Sequence, residues 1–433
     1  MKLRPFELTL VVIFIVMIFL SLLLLSSYKA KNDNDGQPVV GSVTIWGTLP
    51  KEGMTRALQD IAESNESYRD VKYVEVASDT FDADLINAIA DQNGPDLVLL
   101  PHEKLVPLRT KIKPISYESY ALRDIKSTYI DGAMVFALSD GLYAYPIMVD
   151  PLMMYFNKNK LSNKNYLDAP KTWEALVNEY LPNLIERNPD RTIVRSVVAM
   201  GEYPNVQNAF GILSMLLLQA GSEGVQNTEN RSYEIRLNQS PDRRSKPFEI
   251  ATDFYTRFSK PSNALYSWNR SFSSDKDRFL SEDLIFYFGY GSEARGLEKQ
   301  NPNLSFDIAE VPQGAAATVR RTYGTFYGLA ALQSSNNLAG AAVVMRDLAG
   351  QPSERIAALY EMVPATRSAV SKGSNDTYGR LAYTSAGIAY GWLSPSLEKV
   401  DGIFTTLTQD VNENRKDIPA AVNDALGRLE LEY

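Results

Sequence analysis

Cysteine is absent from all 433 residues. That absence excludes disulfides, thiol nucleophiles, iron–sulfur clusters, cysteine-ligated zinc and a lipid-modified N-terminal cysteine together. Histidine is nearly absent too: there is one, His102. A multi-histidine metal site is therefore impossible, and a Ser-His-Asp triad would have to be built on that one ring. Its setting, LLPHEKL, reads as a strand end running into a loop, so a solvated loop histidine is expected, with ligand contact at a cleft edge as the alternative. Positive charge is not in excess either; the net charge is −8, which leaves a nucleic-acid role without an electrostatic footprint. There is no D-x-D-x-D-G calcium loop, and Gly289-x-Gly291 lacks both the third glycine and the Lys-Ser/Thr of a phosphate loop. No cofactor is expected.

What is present is ordinary globular composition, 45% hydrophobic and 22% charged, in a chain long enough for two domains. Residues 8–25 form a nearly unbroken Leu/Ile/Val/Phe/Met run behind Lys2 and Arg4. That is about the length needed to cross a hydrocarbon core, and the leading positive charges predict an N-in, C-out orientation. Residues 1–28 are read as a transmembrane anchor or signal segment. An uncleaved anchor is favoured, because the apolar core is long and SSYKAKND is a poor cleavage site. Residues 29–41, polar and without period, read as a flexible tether. The body beyond them is expected to be extracytoplasmic.

The body opens with a β-branched strand ending at Trp46-Gly47. Helical spacing over 52–63, a strand at 73–76, a helix over 82–91 and the buried-type strand LVLL follow. That alternation predicts a parallel sheet with crossover helices, whose ligands bind off the carboxyl ends of the strands. Those ends carry Trp46, the 78–82 turn and Pro101-His102. The stretch GLYAYPIMVDPLMMYFN reads as two strands interrupted by Pro146 and Pro151 with Asp150 between them, a chain crossing between two lobes. Further on, Thr172 is expected to cap a helix. Residues 208–220 are an apolar helix, 221–245 a surface excursion and 284–291 a buried strand; helices near 398–411 and 418–430 finish the chain.

Two kinds of residue suit a binding site. Aromatics beside glycine at strand ends, Trp46 and Tyr290 above all, offer an apolar face with a polar edge. Asp150 lies in an apolar run where an unpaired charge is costly, so it needs a partner: a ligand hydroxyl or cation, or nearby backbone N–H groups. Asp82, Asp150 and Glu282-Asp283 also leave open a two-carboxylate glycosidase.

The order of landmarks resembles the extracellular solute-binding proteins of ABC importers, nearest the maltodextrin- and oligosaccharide-binding family. GLYAYPIMVDPLMMYFNKNKL is similar to that family's hinge segment and APKTWEALV to its Pro-x-Thr-Trp helix start. VTIWG, GPDLVLLP, LLLQAGSEGV, FDIAEVPQG, TYGTFYGLAAL and VPATRSAV follow in the family's order. The resemblance implies an α/β, type II periplasmic-binding fold. Lobe 1 would comprise 42–146 and 313–363, lobe 2 147–312 and 364–433, joined by a multi-strand hinge. It implies ligand contacts from Trp46, Asp82, Asp150, Tyr290, Thr325, Arg367 and Trp392. Tyr290 stands near the family's Trp, and Ser281-Glu282-Asp283 replaces a Gly-Lys step, which bears on ligand identity. The implied function is capture of a small solute, a sugar or oligosaccharide, by hinge closure, with no catalysis. The implied partners are an ABC permease and the membrane, and a monomer is expected. A membrane-anchored glycan hydrolase and a binding or sensor module without an importer remain alternatives.

Overall fold

The computed structural model describes Val40–Tyr433 except residue 231. The expected anchor and most of the tether, residues 1–39, lie outside the described residues. Among the described residues, no helix is long and apolar enough to cross a membrane.

The first elements follow the expected alternation. Strands β1 (Val43–Gly47), β2 (Val71–Glu75) and β3 (Leu97–Pro101) pair in parallel, with β1 in the middle. Helices α1 (Lys51–Ser64) and α2 (Phe81–Ala90) make the crossovers. Helix α1 has no side-chain N-cap; instead its Met54 N–H donates to the Tyr360 hydroxyl at 2.9 Å, which itself donates to the Pro50 carbonyl. One orphan donor of the helix start is met by a residue far along the chain. Gly53 makes room for it, since a Cβ there would lie 2.7 Å from the Tyr360 ring.

The stretch expected as two strands broken at prolines is one strand, β4 (Tyr145–Asn157), 13 residues long and buried almost throughout. Pro146 does not break it. The register against the later strand β10 (Thr322–Ala331) slips between Tyr327 and Gly328, opposite Met148 and Pro146, so the missing donor falls at a bulge. Pro151 stands where the strand changes partners. Before it, β4 is flanked by β10 and by Val363–Pro364; after it, by β8 (Leu284–Tyr290) and β9 (Phe306–Ala309). A residue with no N–H costs the ladder least at such a change.

Beyond β8 the sheet continues to β5 (Ile193–Val198) and the short strand Glu186–Arg187, completing a mixed sheet of eleven strands among the described residues. Thr172 caps its helix as expected, accepting from the Ala175 N–H at 3.1 Å. Helix α3 (Ala209–Gln219) is apolar on every side and buried from Ala209 through Leu217, the mark of a core helix. The polar excursion holds a hairpin, β6 (Val225–Asn227) with β7 (Tyr233–Ile235). Of the helices α4 (Pro247–Thr256), α5 (Leu338–Leu348), α6 (Thr377–Ala386), α7 (Leu397–Asn412) and α8 (Ile418–Glu430), α5 and α6 pack on the sheet, α4 packs on α3, and α7 and α8 pack on each other and on α4.

Candidate functional site

A cavity of about 570 Å³ gathers the carboxyl ends of the parallel strands and the start of α3. Thr48 follows β1, Ser78 follows β2, Pro101 ends β3 and Glu103 and Lys104 follow it; Thr325 and Tyr327 come from β10 and Tyr290 from β8. The facing wall is the first turn of α3 with Tyr203, and Leu397 and Asp401 of α7. Asn208 stands at the N-cap of α3 without capping it. Its amide is turned away to the Phe288 carbonyl at 3.0 Å and Glu293 Oε1 at 3.0 Å. The positive end of an eleven-residue helix, uncapped by a side chain, thus faces the cavity and favours acceptor atoms there.

At the floor lies a buried polar cluster. Glu103 Oε1 accepts from the Tyr323 hydroxyl and, at 3.0 Å, from the Thr325 hydroxyl. Burial pushes this carboxyl up, but the adjoining His102 ring and the Tyr323 hydroxyl hold it below the usual range. The hydroxyls of Tyr290, Tyr323 and Tyr327 are pushed up by burial, so they stay protonated and serve as donors. Tyr290 is held by its backbone: its N–H donates to Glu293 Oε1 at 2.9 Å and its carbonyl accepts from the Tyr155 hydroxyl at 2.6 Å. Chemically the cavity presents hydroxyl donors, one buried carboxylate, a lysine, amides and aromatic faces. Such a set can pair with many hydroxyls and stack on apolar ring faces.

His102 corrects the sequence reading. It is fully buried, not solvated. Its loop folds under the cleft, where Gly391 and β10 close over the ring, and neither is legible from LLPHEKL.

The seven residues expected at the site are distributed unevenly. Tyr290 and Thr325 line the cavity. Asp82 stands beside it, its carboxylate 2.9 Å from the Nζ of cavity-lining Lys104. Asp150 is buried and accepts from Ser292, from N at 3.1 Å and from Oγ at 2.6 Å. Burial pushes its carboxyl up to about 7 against those bonds. Half-buried Trp46 lines a separate shallow groove with Glu75 and Asp84. Arg367 pairs with Asp131 and donates to the Lys126 carbonyl at 3.0 Å. Trp392 is buried, donating to Ser214 Oγ at 3.0 Å, and edges a different cavity of about 910 Å³. Nor do the carboxylates considered for hydrolysis converge: Glu282 pairs with Lys160 at 3.1 Å, away from Asp82 and Asp150. Glu103, Tyr203, Phe210 and Asp401 were not anticipated. The usable signal was Glu103's place just past a strand end; for α7 there was none, since nothing in the sequence says where it packs.

A mixed sheet threaded by one long strand, with a polar, aromatic-edged cavity at the strand ends, defines the α/β periplasmic-binding type of fold. Solved structures agree. The chain is similar to a cyclo/maltodextrin-binding protein complexed with maltotetraose, with a TM-score of 0.71 and 16% identity over 92% of this chain and 98% of that one. It is similar to the sugar-binding protein MalE from Xanthomonas citri, with a TM-score of 0.70 and 18% identity over 90% and 97%. It also resembles the Thermus thermophilus maltotriose binding protein bound with maltotriose, with a TM-score of 0.62 and 15% identity over 90% and 99%. No curated protein matches by sequence. Residues 51–346 match the family described as bacterial extracellular solute-binding protein. The chain belongs to that family.

Proposed function

We propose that this protein captures a neutral saccharide outside the cytoplasm and passes it to an ABC permease, held to the membrane by an anchor in residues 1–28. Lobe 1 (42–146 and 313–363) and lobe 2 (147–312 and 364–433) close about the middle of β4 and β10 around the solute. No covalent step is involved; contacts made from both lobes stabilise the closed form. The observation that carries this reading is the cavity itself. Hydroxyl donors, the Glu103 carboxylate and the faces of Tyr290, Tyr327 and Phe210 converge there from both sides of the β4 partner change. The sugars held by the similar structures support the choice of solute. Of the seven residues expected to touch it, Tyr290 and Thr325 make the floor, Asp82 holds Lys104, and Asp150 fastens β4 to the turn after β8.

The test is a thermal-shift series on the full-length chain with maltotriose, maltotetraose and mannotriose, against amino acids and polyamines. A binding saccharide raises the melting temperature with concentration as RT ln(1 + [L]/Kd). A flat response to every saccharide, with a rise for a charged solute, would overturn the assignment.

A further inference from the structure

Helix α3 opens Ala-Phe-Gly, and its glycine does nothing for the helix. Inside a helix, glycine is the poorest former after proline, because its backbone has the most freedom to lose. Its neighbours from Phe210 to Leu217 fill the core with side chains, whereas Gly211 lines the cleft cavity. A Cβ at 211 would stand 2.8 Å from the Tyr290 hydroxyl oxygen, closer than a side chain tolerates. The next atoms, Tyr290 Cζ and Tyr323 Cδ1, are both at 3.5 Å, which is ordinary contact. One atom of one cavity-lining ring therefore occupies the space that a residue other than glycine would need.

The backbones on either side are tied together. The Tyr290 N–H donates to Glu293 Oε1 at 2.9 Å, and the same oxygen accepts from the Asn208 amide at 3.0 Å, just before α3. Glu293 Oε2 accepts from the Tyr287 hydroxyl at 2.8 Å and pairs with Lys276 at 2.8 Å. The Tyr290 carbonyl accepts from the Tyr155 hydroxyl at 2.6 Å. With Tyr290 and the start of α3 held by one carboxylate, the half-buried Tyr290 ring is the part that gives way if a side chain enters at 211.

We propose that Gly211 is a positioning residue for the solute: by withholding a side chain it seats the Tyr290 ring against the first turn of α3, where the ring forms a stacking wall of the cleft. The inference rests on the reading of this cavity as the saccharide site. A sugar stacks through an apolar face, so the contact depends on the angle and depth of the aromatic plane. A methyl group at 211 pushes the phenol away from the helix and tilts that plane. The same methyl suits the helix itself, so affinity and stability should respond in different directions.

Calorimetry with maltotriose on the full-length chain tests this with Gly211→Ala, Tyr290→Phe and the two together. Gly211→Ala is expected to melt no lower than the parent chain while binding maltotriose about tenfold more weakly, the worth of one aromatic contact. Tyr290→Phe removes the oxygen at 2.8 Å and leaves only contacts at 3.5 Å. Adding Gly211→Ala to it should therefore cost no more than about twofold further. Parent affinity in Gly211→Ala, an equal loss from that change in both backgrounds, or a lowered melting temperature in Gly211→Ala would each overturn the proposal. Crystal structures of the full-length variants read the ring without a ligand: turned away from α3 in Gly211→Ala and against it in the double variant. If maltotriose does not bind the parent chain, the reading of the cavity as its site fails, and the two ring positions alone uphold or overturn the seating.

Discussion

Asp150 shows what burial does to a single carboxylate. Its carboxyl is pushed up to about 7, and that of Asp275, also buried, to about 7 as well. An acid whose folded pKa exceeds its unfolded value of about 3.9 binds its proton more tightly when folded. The contribution of these two groups to stability is therefore expected to be greatest below about pH 4, to fall as pH rises towards 7, and to carry the full cost above it. At about 1.4 kcal/mol per pKa unit, each group costs on the order of 4 kcal/mol at most. Asp150→Asn should flatten roughly half of that slope in urea titrations run from pH 4 to 8; an unchanged slope would assign it elsewhere. For binding, Glu103→Ala should weaken saccharide affinity by about 10–100-fold, measured calorimetrically. Part of this was legible: a carboxylate in PIMVDPLMM needs a partner. Which partner was not, because Ser292 lies 142 positions away.

Among the elements, β4 departs most from its sequence reading. Two prolines in thirteen residues argue for a break, yet the sheet places one at a bulge and the other at a change of partners. The hairpin, expected as a surface excursion, reaches back to the segment before β4. Asn227 Oδ1 accepts from Ser139, from N at 3.1 Å and from Oγ at 2.6 Å, and the Arg109 guanidinium lies over the Tyr233 ring at 5.5 Å. Asn227→Ala is expected to cost about 1–2 kcal/mol, seen as a lower urea midpoint with an unchanged m value. The contrast with α3 is instructive. An all-apolar run stopped by Gly221 needs no partner to declare itself a core helix, whereas a polar hairpin has no apolar face to reveal where it docks.

For the whole molecule, the proposed capture of a saccharide predicts motion about β4 and β10. The chain lacks cysteine, so a pair introduced at Ser78 and Leu397, on opposite walls of the cavity, can be labelled cleanly. The label-to-label distance is expected to shorten when a binding saccharide is added, read by double electron–electron resonance. A distribution that stays fixed while the sugar binds would rule out closure across this cavity.

Local information settled a good deal. Alternation of strand and helix through the first hundred residues, the Thr172 cap, the buried run of α3 and the ordered landmarks carry the fold and family, because each depends on neighbours a few positions apart. The cleft does not. Its floor joins His102 and Glu103 to residues more than 200 positions away, and its wall depends on where α7 packs. Periodicity records which face of an element is apolar and says nothing of which distant element will cover it; only the folded chain decides that.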